Sequence, residues 1–214
     1  MGAGRPKPQR VLAGRAVIEW ALAPLLARPE LTRLILALPP GEAVDDWLAP
    51  PRDGRVTAVV GGKTRAASVA RALEAIADCA DDTPVLVHDA ARPCLAGDEL
   101  ERLLAHADEP DGALLAVAVG DTLKRADASQ GVAETVDRSG LWRALTPQGF
   151  PHARLAEALA CAGGAVTDDA SAIEAIGGAP RLVEGDPANI KITRPADLEL
   201  AQAILQARRS GATT

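Results

Sequence analysis

An acid and an arginine stand three residues apart in His88-Asp89-Ala90-Ala91-Arg92-Pro93, directly after the apolar run Val85-Leu86-Val87. The run reads as the end of a strand buried on both faces, the pattern of a parallel sheet covered by helices. Pro93 bars an immediate return to the ladder. Ligands of open α/β sheets bind outside the carboxyl ends of the strands. An anionic and a cationic group planted there suit a phosphorylated, hydroxylated substrate, with or without a metal ion. The plainer alternative is a strand exit held by a local Asp–Arg pair.

Five further segments carry polar groups at strand ends or helix starts. Gly61-Gly62-Lys63-Thr64-Arg65, followed by Ser68, ends one strand and opens a helix. Glycines there let backbone approach a ligand, and a helix N-terminus favours anions. Asp121-Thr122-Leu123-Lys124-Arg125 opens an irregular polar stretch, and Asp137-Arg138 lies on its return. Leu145-Thr146-Pro147-Gln148 and Thr167-Asp168-Asp169 each offer a hydroxyl, and each could be a turn or an N-cap. In Asn189-Ile190-Lys191-Ile192-Thr193, alternation along a strand points Lys191 away from Ile190 and Ile192.

The elements that must position these groups alternate strand and helix, which favours α/β with a mainly parallel sheet flanked by helices. Helices are expected at Val17–Leu26, with Pro24 kinking or ending the first, from about Gly62 to Ala80, at Glu99–Ala105, Ala153–Ala162 and Asp168–Ile176, and after Thr193 as N-cap. Strands are expected at Leu34–Leu38, Val56–Val60, Val85–Val87, Leu114–Val119, Arg181–Glu184 and Asn189–Ile192. Residues 121–141 break the rhythm, with Ser129-Gln130-Gly131 as the tip of an excursion; a long irregular segment of this kind serves function or interaction. At 214 residues, one domain plus an arm is the reading.

Composition narrows the partners. Aromatics are 2% of the chain and the net charge is −6, which argues against a base-stacking or basic nucleic-acid surface. Cys79, Cys94 and Cys161 lack zinc or disulfide spacing. No apolar run reaches the roughly 18 residues of a membrane span, and the start has no apolar h-region, so the cytoplasm is expected.

In order and spacing, HDAARP, DTLKR, VDRSGLW, LTPQ, TDDAS and NIKITRP together resemble the 2-C-methyl-D-erythritol 4-phosphate cytidylyltransferase family of non-mevalonate isoprenoid biosynthesis, from Gly2 to about Ile204. The resemblance implies a Rossmann-like nucleotidyltransferase sheet, with residues 121–141 as a β-arm that embraces the partner of a homodimer. It implies attack by the substrate's phosphate on the α-phosphorus of CTP, giving the cytidine diphosphate alcohol and pyrophosphate, with Mg²⁺ held mainly by the CTP phosphates. Carried over by position, Gly62, Lys63, Ser68 and Ala90 line the cytidine site. Asp89, Arg92, Thr146 and Thr167 surround methylerythritol phosphate, with Thr122 and Arg138 reaching in from the partner. Lys191 touches the phosphates at the reacting centre, and Lys7 matches a lysine that stabilises the pentacoordinate transition state.

The start departs from the family, whose members open with a buried strand and an AAGxGxR loop before a PKQ stretch. Here Met1 falls after the position of that loop's arginine, and Pro8 replaces the glutamine. Upstream codons encoding the strand and loop are the expectation, a truncated non-catalytic homologue the alternative. A pentitol-phosphate cytidylyltransferase, acting on a substrate such as ribitol 5-phosphate, is the other rival.

Overall fold

Why the site residues meet is decided by a sheet with helices on both faces. The computed structural model describes residues 6–49, 53–162 and 166–211. A short hairpin of β1 (Val11–Leu12) and β2 (Arg15–Ala16) leads into α1 (Val17–Leu26). There follow β3 (Leu34–Leu38), β4 (Val56–Val60), α2 (Arg65–Glu74), β5 (Pro84–Val87), α3 (Gly97–Leu104) and β6 (Ala113–Ala118). An excursion of β7 (Leu123–Ala126) and β8 (Val132–Val136) precedes β9 (Trp142–Pro151). Next come α4 (His152–Cys161), α5 (Asp169–Ala175), β10 (Arg181–Glu184) and α6 (Pro195–Gly211).

The expected parallel pairings occur in β3–β4 and β6–β10, but β9 makes the larger sheet mixed. That sheet runs β10-β6-β9-β5, with β9 antiparallel to both neighbours. Leu145–Gln148, open in the sequence to a turn or an N-cap, lies instead inside β9, although proline normally leaves a central strand. A bulge absorbs it: Leu114 faces Gln148 and Ala116 faces Ala144, so three residues of β9 stand against Leu115. Bulges re-aim side chains beside functional sites, and this one carries Thr146.

Alternation sorts the core into two faces. On one, Ile18, Leu22 and Leu25 of α1 and Leu100 and Leu103 of α3 pack against Leu36, Leu115 and Leu145. On the other, Leu73 of α2, Leu155 of α4 and Ile173 of α5 pack against Leu114 and Phe150. β5 shows the same period of two, with Leu86 towards the first cluster and Val85 and Val87 towards the second. Among the described residues β3 pairs only with β4, and β5 only with β9. Both strands line one apolar cleft of about 430 Å³.

Three further expectations need correcting. Residues 189–192 are not a strand: Pro187 and Ala188 turn the chain, and among the described residues the one backbone–backbone bond from the segment to a neighbouring element runs from the Ile192 N–H to the Ala91 carbonyl. The helix expected to reach Ala80 stops at Glu74, where tighter turns such as the Ile76 N–H to Leu73 carbonyl bond take over. Thr193 does not cap α6 by accepting a helix N–H. The Asp197 carboxylate instead takes the N–H groups of Thr193 and Arg194 and the Thr193 hydroxyl. The excursion is the expected hairpin, its tip a turn from Asp127 to Gly131, and residues 120–141 join none of the three apolar clusters.

Candidate active site

Where β5 ends, the backbone turns tightly, the Arg92 N–H bonding to the Asp89 carbonyl at 2.9 Å. His88 and Thr146 brace this turn from below. The Arg92 carbonyl can only accept, so the His88 Nε2 3.3 Å from it carries the proton. Nδ1 then accepts the Thr146 hydroxyl at 3.0 Å, while the Thr146 oxygen accepts the Asp89 N–H at 3.0 Å. Burial is the main reason that His88 stays neutral, with its pKa down at about 4. Thr146 is buried and its one proton is spent on His88. It therefore stands beneath Asp89, not as an open hydroxyl.

Basic groups converge on the Asp89 carboxylate. Lys191 Nζ lies 2.8 Å from Oδ2, Arg65 Nε 3.3 Å from Oδ1, and Arg92 Nε 3.8 Å from Oδ2. Burial disfavours the charged carboxylate, but the Lys191 bond and the Arg65 and Arg92 charges outweigh it and hold the pKa below the ordinary value. Burial and the repelling charges of Arg143 and Arg65 lower the Arg92 pKa, with Asp89 opposing. The buried Arg92 Nε has no hydrogen-bond partner among the described residues, since 3.8 Å exceeds bonding range.

Lys191 is held from a loop, not a ladder. Buried Glu99 accepts the Asp186 N–H at 2.7 Å, and Asn189 Nδ2 donates to the Thr146 carbonyl at 3.0 Å. Arg92 Nη1 donates to the Asn189 carbonyl at 2.8 Å, so the arginine and the lysine loop are fixed to each other.

At the neighbouring strand end, the Gly62 N–H donates to Ser68 Oγ at 3.0 Å and Ser68 donates to the Thr64 carbonyl at 2.9 Å. Thr64 caps α2 by accepting the Ala67 N–H at 3.1 Å. A Cβ on Gly62 would lie 2.4 Å from the Ala67 Cβ, so this fold of the turn needs glycine. Lys63 projects outward, exposed. Ser68, Arg65, Asp89 and Ala90 line one end of the apolar cleft. Arg92, Arg143, Lys191 and Thr193 line a second cavity of about 320 Å³. The Asp89 cluster stands between the two.

The structure thus brings Ser68, with Gly62 bonded to it, to one cavity end with Asp89 and Ala90, draws Arg92 and Lys191 to the Asp89 carboxylate, and sets Thr146 on the Asp89 N–H. Thr167 is exposed at the entry to α5, its N–H on Ser171 Oγ at 3.1 Å. Thr122 and Arg138 lie at the base of the excursion, where Arg138 Nη1 donates to the Gly120 carbonyl, and no bond joins either to the Asp89 cluster. Lys7 is exposed on a 3-10 turn (Lys7–Gln9) and lines neither cavity. Sequence reading missed Arg65, His88 and Asp169 as site residues. Arg65 and Asp169 meet at 2.7 Å but are far apart in sequence, and only their places at two helix starts marked them.

Among the described residues no group of three or more His, Cys, Asp or Glu side chains is placed to hold a metal ion. Asp89 does not fit as a ligand either, because three basic groups already occupy its surroundings.

Comparison with known proteins shows the family of the chain. The model of the IspD family, 2-C-methyl-D-erythritol 4-phosphate cytidylyltransferase, matches residues 1–207. The protein of that name from Aeromonas hydrophila is 47% identical over 209 residues, covering 96% of this chain and 84% of the relative. That from Laribacter hongkongensis is 49% identical over 214 residues, covering 99% and 93%. The crystal structure of the enzyme of that name from Thermus thermophilus superposes with a TM-score of 0.81 at 37% identity, covering 95% of each chain.

Proposed function

Because this chain belongs to the 2-C-methyl-D-erythritol 4-phosphate cytidylyltransferase family, and is on that footing a cytidylyltransferase of isoprenoid biosynthesis, we propose that its reaction is run at Asp89, between the two cavities. The observation that carries this reading is one carboxylate, lining the first cavity beside Arg65, that is shared with Lys191 and Arg92 of the second. CTP would enter beside Gly62, Lys63, Ser68 and Ala90, its base selected largely by backbone groups of the glycine turn. Methylerythritol phosphate would lie over Asp89, Arg92 and Thr167, its phosphate towards Lys191, with Thr146 acting through the Asp89 backbone.

An oxygen of the substrate's phosphate attacks the α-phosphorus of CTP, the bond to the β-phosphate oxygen breaks, and pyrophosphate leaves. No side chain is acylated or phosphorylated. The protein's part is to hold two anions in line and to offset the charge that gathers between them. Lys191 and Arg92 supply it at the reacting centre, and Lys7 is assigned the charge developing on the α-phosphate. A divalent cation would arrive on the CTP phosphates, and no step here runs through it. Thr122 and Arg138 would complete the site of a partner subunit through the β7–β8 arm, whose exposed Val132 and neighbouring Leu141 and Trp142 offer apolar surface for a homodimer. One domain in the cytoplasm belongs to the same proposal.

Steady-state pyrophosphate release from lysine variants tests this division of labour. Interactions stronger in the transition state lower kcat, whereas uniform binding changes KM alone. Lys191→Ala should raise KM for methylerythritol phosphate and lower kcat. Lys7→Ala should chiefly lower kcat, by about 10²-fold or more. A kcat within about threefold of the parent for Lys7→Ala would return that residue to an ordinary solvated lysine.

A further inference from the structure

Arg65 joins two carboxylates from different parts of the fold, with Nη2 2.7 Å from Asp169 Oδ2 and Nε 3.3 Å from Asp89 Oδ1. Asp169 is 1% exposed, at the first turn of α5. Its contact with Arg65 lacks hydrogen-bond alignment, so neither oxygen has a hydrogen bond among the described residues. Burial raises the Asp169 pKa, and the Arg65 charge works against that rise. An ion so buried holds its counter-ion in place, since an uncompensated charge in the interior is severely disfavoured.

The other two cations near Asp89 are not tied in this way. Lys191 is a half-exposed ammonium, and Arg92, bonded through Nη1 to the Asn189 carbonyl at 2.8 Å, keeps an Nε with no hydrogen bond among the described residues. Both line the second cavity, whereas Arg65 lines the first. A phosphate entering the second cavity would compete with Asp89 for the Lys191 ammonium and the unbonded Arg92 Nε. Arg65, anchored by Asp169, stays outside that competition.

We propose that Arg65 is a positioning residue, the fixed counter-ion that keeps Asp89 charged and oriented for the substrate's hydroxyl groups while Lys191 and Arg92 turn to the phosphate. The inference rests on the assignment of the two cavities above. It also couples the glycine turn to the substrate acid, since Arg65 directly follows the α2 cap Thr64.

The test is titration calorimetry with methylerythritol phosphate and with CTP, alongside thermal melting, for the parent, Arg65→Lys, Arg65→Gln and Arg65→Gln/Asp169→Asn. Arg65→Gln leaves Asp169 buried without a counter-ion and should melt early. Adding Asp169→Asn removes that charge and should return melting towards the parent. Methylerythritol phosphate should bind about tenfold or more weakly to Arg65→Gln and to the double variant alike. CTP affinity should stay within about threefold, and Arg65→Lys should recover part of the loss. Recovery of melting and methylerythritol phosphate affinity together in the double variant would show Arg65 to be only the counter-ion of Asp169, and would overturn the proposal. Equal weakening of both ligands would overturn it too. A parent that binds neither ligand would defeat the assignment of the cavities itself, a failure visible before any variant is compared.

Discussion

His88 shows how one side chain makes this site sensitive to acid. Its pKa is about 4 in the folded chain against 6.5 as the ordinary value, mainly because burial disfavours the imidazolium. Between those values the unfolded chain binds more protons than the folded one, so stability rises with pH. The contribution is complete above about pH 6.5 and is lost as pH falls towards 4, a change of about 3 kcal/mol. Asp169, with its pKa raised by burial, acts in the opposite sense just above the ordinary carboxyl value, so the comparison must be made against a variant. Urea midpoints of the parent should fall further between pH 7 and 4.5 than those of His88→Gln. Parallel losses in the two proteins would show that His88 does not titrate in this window. Asp89, Arg92 and Lys191 were legible in the sequence because each follows or sits within an apolar run and carries a charge. Arg65 and Asp169 were not, since their partnership closes only when α2 and α5 are packed on the same face of the sheet.

Among the elements, the turn between β4 and α2 is where sequence and structure agree most closely. Gly61-Gly62 ends the strand, Thr64 caps the helix and Ser68 closes the turn on Gly62. Gly62→Ala puts a methyl 2.4 Å from the Ala67 Cβ, and backbone atoms of Ala67 at 2.8 and 3.0 Å leave it nowhere to go. Overpacking of this kind costs about 1–3 kcal/mol. The variant should melt lower and show a raised KM for CTP, with KM for methylerythritol phosphate little changed. An unchanged KM for CTP would remove this turn from the nucleotide site. By contrast, β9 was illegible because Pro147 and a run of turn-forming residues mimic a loop, and the bulge opposite Leu115 that accommodates them is a property of the β6 pairing. The lysine loop after β10 misled in the other direction. Its alternating Ile190-Lys191-Ile192 has the period of a strand, yet Glu99 and Asn189 hold it by side chains.

At the scale of the whole molecule, the excursion was legible as an interruption of the strand–helix rhythm, and its hairpin leaves Thr122 and Arg138 unjoined to the Asp89 cluster. If the arm completes a partner's site, a mixed dimer of Arg138→Ala with Lys191→Ala gathers both defects in one site and leaves the other whole. About half the parent's activity should then remain, although each homodimer is impaired. Activity of the mixed dimer no better than that of either homodimer would place Arg138 outside a shared site. The central proposal is that Asp89 receives methylerythritol phosphate beside CTP. It is tested most directly by pyrophosphate release with methylerythritol phosphate or ribitol 5-phosphate, in the parent and in Asp89→Asn. The parent should favour methylerythritol phosphate by about tenfold or more in kcat/KM, and Asp89→Asn should lose that substrate's affinity while keeping its KM for CTP. A parent that prefers ribitol 5-phosphate, or an Asp89→Asn enzyme with unchanged kinetics, would contradict it.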